Sequence, residues 1–208
     1  MTNKRDARQY WPSTDRNRKP ILEVLKDVLP AGGTVLEVAS GSGEHGAYFA
    51  PRLAPLYWQP TDIDKDNLAS IEAWREEVRY ERLLPAKRLD ATEDPWWIEA
   101  AELAEPVVAI FSANMAHISP LEVTIGLIAG AGRLLGPNGV LVIYGPFMIG
   151  GKHTSPSNQA FDQDLRRRNP DWGVRDVDDL NDLAAKHGFS KAEITEMPAN
   201  NLALVFRK

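Results

Sequence analysis

Three glycines follow a short apolar run near the start of the chain, and their spacing predicts a site for a nucleotide-type ligand. The run covers residues 35–38 (VLEV), and Gly41, Gly43 and Gly46 follow it in a GxGxxG pattern. Glycine suits a sharp turn from a strand into a helix because it adopts backbone angles that other residues avoid and lets a ligand approach the main chain. Taken alone, the pattern fits either a pyridine dinucleotide, with its pyrophosphate at the helix N-terminus, or the nucleoside part of S-adenosylmethionine (SAM).

Two acids near this turn bear on that choice. Asp62 follows Gly41 at the distance where a dinucleotide site has the acid that holds the ribose hydroxyls. Glu37 ends the apolar run, and we expect it to face the ligand, where it would repel a pyrophosphate and attract the cationic amino acid end of SAM. The alternative is a strand-end acid that faces solvent. If Glu37 faces the ligand, it favours SAM over a pyridine dinucleotide.

Length and composition narrow the class of protein. The 208 residues match one domain, residues 1–208, and are too few for a dinucleotide domain with a separate substrate domain. The absence of cysteine excludes a disulfide framework, a thiolate zinc site and a cysteine nucleophile, and it favours the reducing cytoplasm. The first twenty residues lack the apolar core of a signal peptide, and no uncharged run suits a membrane span. A net charge of −5 argues against a nucleic-acid partner.

Strand and helix patterns alternate through most of the chain and predict an α/β fold. Residues 35–38, 107–111 and 140–144 are apolar, β-branched runs typical of strands covered on both faces, with helical patterns between them. Weaker strands are expected at residues 57–61 and near 88–89. The sheet should therefore be largely parallel.

The C-terminal third predicts a different arrangement. Residues 177–187 form a helical pattern with Gly188 as its C-terminal cap, and residues 192–196 and 201–206 predict a terminal hairpin. Residues 145–158 are rich in Gly, Ser and Pro and predict a long loop, which in a compact domain is often functional.

The segment around Glu37, Gly41 and Gly43 resembles motif I of the class I SAM-dependent methyltransferases, with Ala39 standing where that motif usually has its first glycine. Further segments match in the expected order, with Asp62 in the place of the acid that binds the ribose. Asp90 matches the acid that accepts the adenine amino group, although it could equally be a turn residue. Asp64 is the expected N-cap of the next helix.

The resemblance implies a Rossmann-like class I methyltransferase fold. Its three-layer sandwich holds a mostly parallel seven-stranded sheet of order 3-2-1-4-5-7-6, with an antiparallel C-terminal strand 7. Asn114 and Met115 match the end of the fourth strand, where the cofactor and substrate sites meet. The cofactor-binding residues implied are Glu37, Ala39, Ser40, Gly41, Ser42, Gly43, His45, Asp62, Ile63, Asp90, Ala91, Asn114 and Met115.

A more specific resemblance is to an uncharacterised branch of that superfamily, domain of unknown function 938, which includes the methyltransferase-like 26 proteins. The segments that carry it are residues 16–21 (RNRKPI), 37–45 (EVASGSGEH), 114–118 (NMAHI), 144–147 (YGPF), 155–158 (SPSN) with 161–162 (FD), and 172–176 (WGVRD). This branch has no established reaction, so the resemblance implies no substrate.

Methyl transfer from SAM is an in-line displacement, so it requires that the nucleophile be held close to the methyl group, and only an acidic nucleophile needs a base. The candidates for a base are His117, then His153 and Asp162 in or beside the long loop. His117 could instead donate to a neighbouring carbonyl. The four scattered histidines lack paired spacing, so no metal site is expected. Residues 1–20, with Tyr10 and Trp11, form either a lid over the cofactor or a surface tail.

The sequence thus predicts a SAM-dependent methyltransferase with an unidentified, small-molecule acceptor and no nucleic-acid or membrane partner. The first alternative is a non-catalytic protein that binds SAM or S-adenosylhomocysteine (SAH). The second, an NAD(P)-dependent oxidoreductase, is disfavoured by Glu37 and the terminal hairpin. The sequence carries no signal for the oligomeric state.

Overall fold

A computed structural model describes residues 6–100 and 103–208 of the chain; residues 1–5 of the predicted N-terminal segment lie outside this part. Ten strands and six α-helices are present in it. The strands are β1 Thr34–Glu37, β2 Tyr57–Asp62, β3 Lys87–Arg88, β4 Val107–Ala113, β5 Val140–Gly145, β6 Phe147–Ile149, β7 Lys152–His153, β8 Arg175–Asp176, β9 Glu193–Met197 and β10 Asn201–Arg207. The helices are α1 Pro12–Val28, α2 Glu44–Phe49, α3 Lys65–Val78, α4 Leu121–Leu134, α5 Pro156–Arg168 and α6 Val177–Lys186.

Seven strands form the central sheet in the order β3-β2-β1-β4-β5-β10-β9. Neighbouring strands from β3 to β5 run parallel, while β10 runs antiparallel to both β5 and β9. The three short strands β6, β7 and β8 form a sheet of their own. When these are left out of the numbering, the order is 3-2-1-4-5-7-6, which confirms the predicted fold.

Alternating apolar residues in the strands supply a core on each face of the sheet. In β1, Val35 packs on the side of α1 and α2, whereas Leu36 packs on the side of α4 and α6. Burial on both faces explains why these strands are continuous apolar runs rather than alternating ones. The sheet is therefore the middle of three layers, and its carboxyl edge is open to the loops that follow β1, β2, β4 and β5.

The segment predicted as a long loop, residues 145–158, is structured instead. It contains the hairpin of β6 and β7 and the start of α5. Gly150 and Gly151 connect the two strands with φ angles of 60° and 74°, as a two-residue hairpin turn requires. The Gly, Ser and Pro content concealed this turn, because the same residues also predict irregular loops.

The N-terminal segment is divided by the start of α1. Residues 12–20 are helical, with Pro12 in the first turn where its missing N–H is no loss, and residues 6–11 precede the helix. The expected cap of α3 is confirmed, since Asp64 accepts hydrogen bonds from the N–H groups of Asp66 (2.7 Å) and Asn67 (3.1 Å). Within the described residues, no helix is both long and apolar enough to cross a membrane.

Candidate functional site

The glycine turn after β1 depends on backbone angles that side chains rarely adopt. Ala39, Gly41 and Gly43 have φ angles of 59°, 56° and 86°. A Cβ on Gly43 would lie 2.7 Å from the Cα of Ile71, so a larger residue there would push α3 away from the turn. Ala39 adopts the left-handed conformation despite its Cβ, at a cost of about 1 kcal/mol. The turn therefore keeps a positive φ at this position, although Ala39 stands where the motif usually has a glycine.

Hydrogen bonds tie the turn to the end of β2. The Gly41 N–H donates to Asp62 Oδ2 (2.8 Å), and the Ser40 N–H donates to the Thr61 carbonyl (2.8 Å). The Thr61 N–H in turn donates to Ser40 Oγ (3.1 Å). These bonds satisfy buried backbone groups and fix the turn beside Asp62.

An open cavity of about 470 Å³ lies beside this turn, at the carboxyl ends of β1, β2 and β4. Eight of the thirteen predicted cofactor residues line it, namely Ala39, Gly41, Asp62, Ile63, Asp90, Ala91, Asn114 and Met115. The sequence-based prediction did not include the other lining residues Trp11, Val38, Asp64, Asn67, Leu89, Ala113, Ile118, Ser119, Pro120, Val123 and Trp172. Most of the lining is apolar, with carboxylates on one side, as expected of a site for a largely apolar ring system with a few fixed polar groups.

Asp62 occupies the junction of the turn, the cavity and α3. Besides binding the Gly41 N–H, its carboxylate accepts through Oδ1 from the Asp64 N–H (2.9 Å) and from Asn67 Nδ2 (3.2 Å). A carboxylate offers about four acceptor positions, so three protein donors leave capacity for a ligand donor. Asn67 could have been predicted from its place in the first turn of α3, three residues after the cap.

Asp90 lines the cavity where the chain leaves β3. Its Oδ1 accepts from the Thr92 N–H (2.9 Å) and the Thr92 hydroxyl (2.6 Å), and these bonds lower the pKa of Asp90. Asp90 is therefore a turn residue, one of the two roles that the sequence left open, and it also lines the cavity.

Asn114 lies at the end of β4 with a φ of 60°, and its N–H donates to the Tyr144 carbonyl of β5 (2.8 Å). The bond holds the β4 end beside β5. Asn114 and Met115 consequently line the side of the cavity that lies opposite Asp62 in the sheet order.

Glu37 differs from both interpretations of the sequence, because it faces neither the cavity nor solvent. The side chain is 1 % exposed, and its Oε2 accepts a hydrogen bond from the Trp58 indole N–H (2.8 Å). Burial raises the pKa of Glu37 to about 7. Gly46 makes room for this pair, since a Cβ there would lie 3.1 Å from Glu37 Oε2. The carboxyl group thus belongs to the packing between β1, β2 and α2.

The remaining turn residues also lie outside the cavity lining. Ser42 Oγ donates to the Glu44 carboxylate (2.8 Å), and the Ser42 carbonyl accepts from the Ser70 hydroxyl (2.6 Å). His45 is buried against Phe49, its Nε2 lies 2.8 Å from Asn17 Oδ1, and burial lowers its pKa to about 3. With Ser40 and Gly43, these residues support the turn from behind.

His117 lies near the end of β4 but does not line the cavity. Its ring packs edge-on against Phe161 and lies close to Gly145, and burial lowers its pKa to about 4. Among the described residues, the ring has no hydrogen-bond partner, so the donation to a carbonyl that the sequence allowed is not made. The His117 main-chain carbonyl instead accepts from the Gly173 N–H (3.1 Å).

The other two candidate bases, His153 in β7 and Asp162 in α5, lie away from the cavity. Asp162 accepts hydrogen bonds from the Val174 N–H (2.7 Å) and from Arg166 Nε (3.0 Å). His153 Nε2 lies 3.6 Å from Asp162 Oδ2. These contacts join β7, α5 and the segment before β8, so Asp162 is already occupied by protein donors.

Residues 8–11, which we name the N-terminal strap, pack along the middle of α3 and reach the N-terminal end of α2. The Gln9 N–H donates to Ser70 Oγ (2.8 Å), and the Trp11 N–H donates to Glu44 Oε2 (2.7 Å). The Trp11 indole lies against Gly41, where any Cβ would collide with the ring, and it lines the cavity. In the described region, residues 8–11 therefore pack against the domain and cover part of the glycine turn.

No group of three or more His, Asp or Glu side chains in residues 6–100 and 103–208 is arranged to hold a metal ion.

Known proteins share the family and the architecture of this chain. Residues 8–208 match the model of a family described as protein of unknown function DUF938. The S-adenosylmethionine-dependent methyltransferase SibL in its apo form is 16% identical, with a TM-score of 0.73 over 94% of this chain and 55% of SibL. Human N-acetylserotonin methyltransferase in complex with SAM is 14% identical, with a TM-score of 0.67 over 92% of this chain and 54% of that chain.

An O-methyltransferase family 2 protein from Planctomyces limnophilus DSM 3776, in complex with apigenin, is 17% identical, with a TM-score of 0.70 over 92% of this chain and 61% of that chain. The chain thus spans between half and two thirds of the length of these structures. At such identities the likeness establishes the fold, which is the Rossmann-like fold of the class I SAM-dependent methyltransferases.

Proposed function

The chain belongs to the DUF938 family, and we propose that it is a SAM-dependent methyltransferase that acts on a small-molecule acceptor. The observation that carries this proposal is the cavity beside the glycine turn, which in a class I methyltransferase fold has Asp62 and Asp90 at its edge. The methyltransferases named above have the same fold and support methyl transfer as the class of reaction.

The residues around the cavity fit the parts of SAM. Asp62 retains acceptor capacity for the ribose hydroxyls, because three protein donors do not exhaust its carboxylate. Asp90 and Ala91 would contact the adenine ring, with the apolar side chains of Leu89 and Met115 packed against it. Asn114, at the end of β4, would contact the part of SAM nearest the acceptor.

The charges at the cavity favour a cationic ligand over a pyrophosphate. Asp62, Asp64 and Asp90 all line it, and no Lys or Arg among residues 6–100 and 103–208 does. Three carboxylates would repel the two phosphates of a dinucleotide and attract the sulfonium and ammonium groups of SAM. This argument replaces the one drawn from Glu37, whose carboxyl group is buried against Trp58.

Bound SAM would supply an electrophilic methyl group, and the protein would orient the acceptor and keep water away from it. His117 is the candidate base for an acceptor that must lose a proton. Its lowered pKa keeps the ring neutral at pH 7, and its nitrogens have no partner among the described residues. A pKa of about 4 makes it a weak base, so it would suit an acidic acceptor.

A SAM- or SAH-binding protein without catalysis is the second candidate function. It is favoured by the positions of His153 and Asp162, which lie away from the cavity, with Asp162 accepting a hydrogen bond from Arg166 and lying 3.6 Å from His153. Only His117 among the three candidate bases remains near the β4 end.

Methyl transfer separates the two functions. Purified protein is incubated with SAM labelled on its methyl group and with fractions of a small-molecule extract, and label in new compounds is counted. We expect labelled product from the wild type and a kcat at least about tenfold lower for His117→Asn, with unchanged SAH affinity; the range follows from general-base effects. His187→Asn, in a histidine at the end of α6, is the matched control. SAH binding without label transfer to any fraction would support the non-catalytic function and reject the enzyme.

A further inference from the structure

A polar cluster lies one strand beyond the cavity, at the carboxyl edge of the sheet. Tyr144 pairs with Ala113 across β4 and β5, and Ala113 lines the cavity. Neighbouring strands lie about 4.8 Å apart, so the cluster is adjacent to the cavity on the side away from β2. Asn17 of α1 and Asn201 at the start of β10 complete it.

Asn201 makes the Tyr144 hydroxyl oxygen a hydrogen-bond acceptor. Asn201 Nδ2 lies 3.1 Å from Tyr144 Oη and 3.2 Å from the Pro198 carbonyl oxygen. A carbonyl can only accept, so the Asn201 nitrogen, and not its oxygen, must face this position. The same NH₂ group therefore donates to Tyr144.

Asn17 directs a second donor toward the same oxygen. Its Oδ1 faces His45 Nε2, so its NH₂ group is free to approach Tyr144, and that bond opposes the rise in the Tyr144 pKa that burial causes. Tyr144 is 3 % exposed, and within the described chain its own O–H hydrogen has no acceptor. A buried hydroxyl donor without an acceptor costs free energy unless a ligand supplies one.

Arg16 adds an unpaired positive charge beside this cluster. It is exposed one turn into α1 and directly precedes Asn17 of the cluster, and its charge contributes to lowering the Tyr144 pKa. None of the described acids forms an ion pair with it. Charge is thus divided along the sheet edge, with Asp62, Asp64 and Asp90 on the cavity side and hydrogen-bond donors on the β5 side.

We propose that the Tyr144 hydroxyl and the Arg16 guanidinium bind a carboxylate group of the acceptor, so that the acceptors of this protein are small carboxylic acids. The inference rests on the proposed methyltransferase function and names its substrate class. A carboxylate has only acceptor positions and carries a negative charge, which match the unpaired O–H and the guanidinium, whereas an amide offers one uncharged acceptor oxygen and its NH₂ group would direct hydrogens toward the second donor.

The test uses ligand-observed NMR titrations on SAH-saturated protein. The probes are benzoate, phenylacetate, indole-3-acetate and succinate, each compared with its amide. We expect at least one carboxylate to bind the wild type at least about tenfold more tightly than its amide, as a charge-assisted bond requires. Tyr144→Phe and Arg16→Gln should each weaken that binding at least about fivefold, while Lys19→Gln, in an exposed residue of the same helix, should not change it.

Two outcomes overturn the proposal: equal affinity for acids and amides throughout the panel, or carboxylate binding that Tyr144→Phe and Arg16→Gln leave unchanged. Thermal unfolding shows whether Tyr144→Phe is folded, and Arg16→Gln tests the same site at an exposed position. If SAH does not bind, the proposed function fails on its own. The titrations without SAH then decide the carboxylate site by the same two variants.

Discussion

Asp62 is the residue on which the local geometry of the site depends most. Its carboxylate accepts from the Gly41 N–H and from the N-terminal turn of α3, and it lines the cavity. The same group therefore fixes the turn and lines the cavity. A substitution of Asp62 should change both the conformation of the turn and the binding of the ligand.

Replacement of Asp62 by Asn should weaken SAH binding roughly 10- to 100-fold, because a neutral amide replaces a charged acceptor for the ribose hydroxyls and also presents hydrogens to the Gly41 N–H. Isothermal titration calorimetry measures the effect. The matched control is Asp66→Asn, in an exposed acid of the first turn of α3 that does not line the cavity. Equal SAH affinity in the two variants would remove Asp62 from the site.

At the residue scale, the sequence indicated which residues line the cavity only where a motif fixes both position and direction. Asp62 and Asp90 both line the cavity. Glu37 does not, because the end of a strand is visible in the sequence but the face to which its last side chain points is not, and its partner Trp58 belongs to another strand. Asp162 was a candidate base because one of its partners is also distant in the sequence: the Val174 N–H reaches it only when α5 packs against the segment before β8.

The N-terminal strap belongs to the segment that the sequence allowed to be either a lid over the cofactor or a surface tail. Its hydrogen bonds to Ser70 and Glu44 hold it on α2 and α3, and Trp11 packs on Gly41. Composition could not reveal this packing, because a Trp in a polar segment predicts contact without saying with what. The hairpin of β6 and β7 was likewise hidden within a Gly-rich segment.

A double-mutant cycle tests the contact between the strap and the turn. Gly41→Ala should lower the free energy of unfolding by at least about 1–2 kcal/mol, because its φ is 56° and its Cβ would collide with Trp11. Trp11→Ala removes the collision but not the backbone strain, so the double variant should regain about 1 kcal/mol or more relative to additivity. Urea denaturation measures all four proteins. Additive effects within error would show that the two residues do not touch.

For the whole molecule, alternating burial on the two faces of the sheet decides the fold. The apolar runs of β1, β4 and β5 and the helical periodicity between them predicted the parallel sheet, and the terminal hairpin predicted the antiparallel strand. These patterns are repeated over many residues, so errors at single positions do not change the result. The core on the side of α1 and α2, which contains Trp58, also buries Glu37, whose ionisation therefore affects the stability of the entire domain.

Glu37 should make stability fall as the pH rises. Its pKa is about 7 in the folded protein and near 4.5 when unfolded, so its favourable contribution is complete below pH 4.5 and is lost as the pH rises through 7. Glu37→Gln removes this loss, so the variant should gain stability relative to the wild type between pH 5 and pH 8, by up to roughly 3 kcal/mol. Urea unfolding at both pH values measures the gain.

The control for this pH dependence is Glu81→Gln, in an exposed residue, which should follow the wild type at both pH values. Contributions from His45 and His117 are common to all three proteins and cancel in the differences. A stability difference for Glu37→Gln that stays constant from pH 5 to pH 8 would contradict a raised pKa for this buried carboxyl group.

The most direct test of the central claim is calorimetric titration of the purified chain with SAH and, separately, with NADH. The cavity with its three carboxylates should bind SAH at one site per chain and should not bind NADH, because the pyrophosphate would face Asp62, Asp64 and Asp90. NADH binding without SAH binding, or binding of neither ligand, would contradict the assignment of this cavity to SAM.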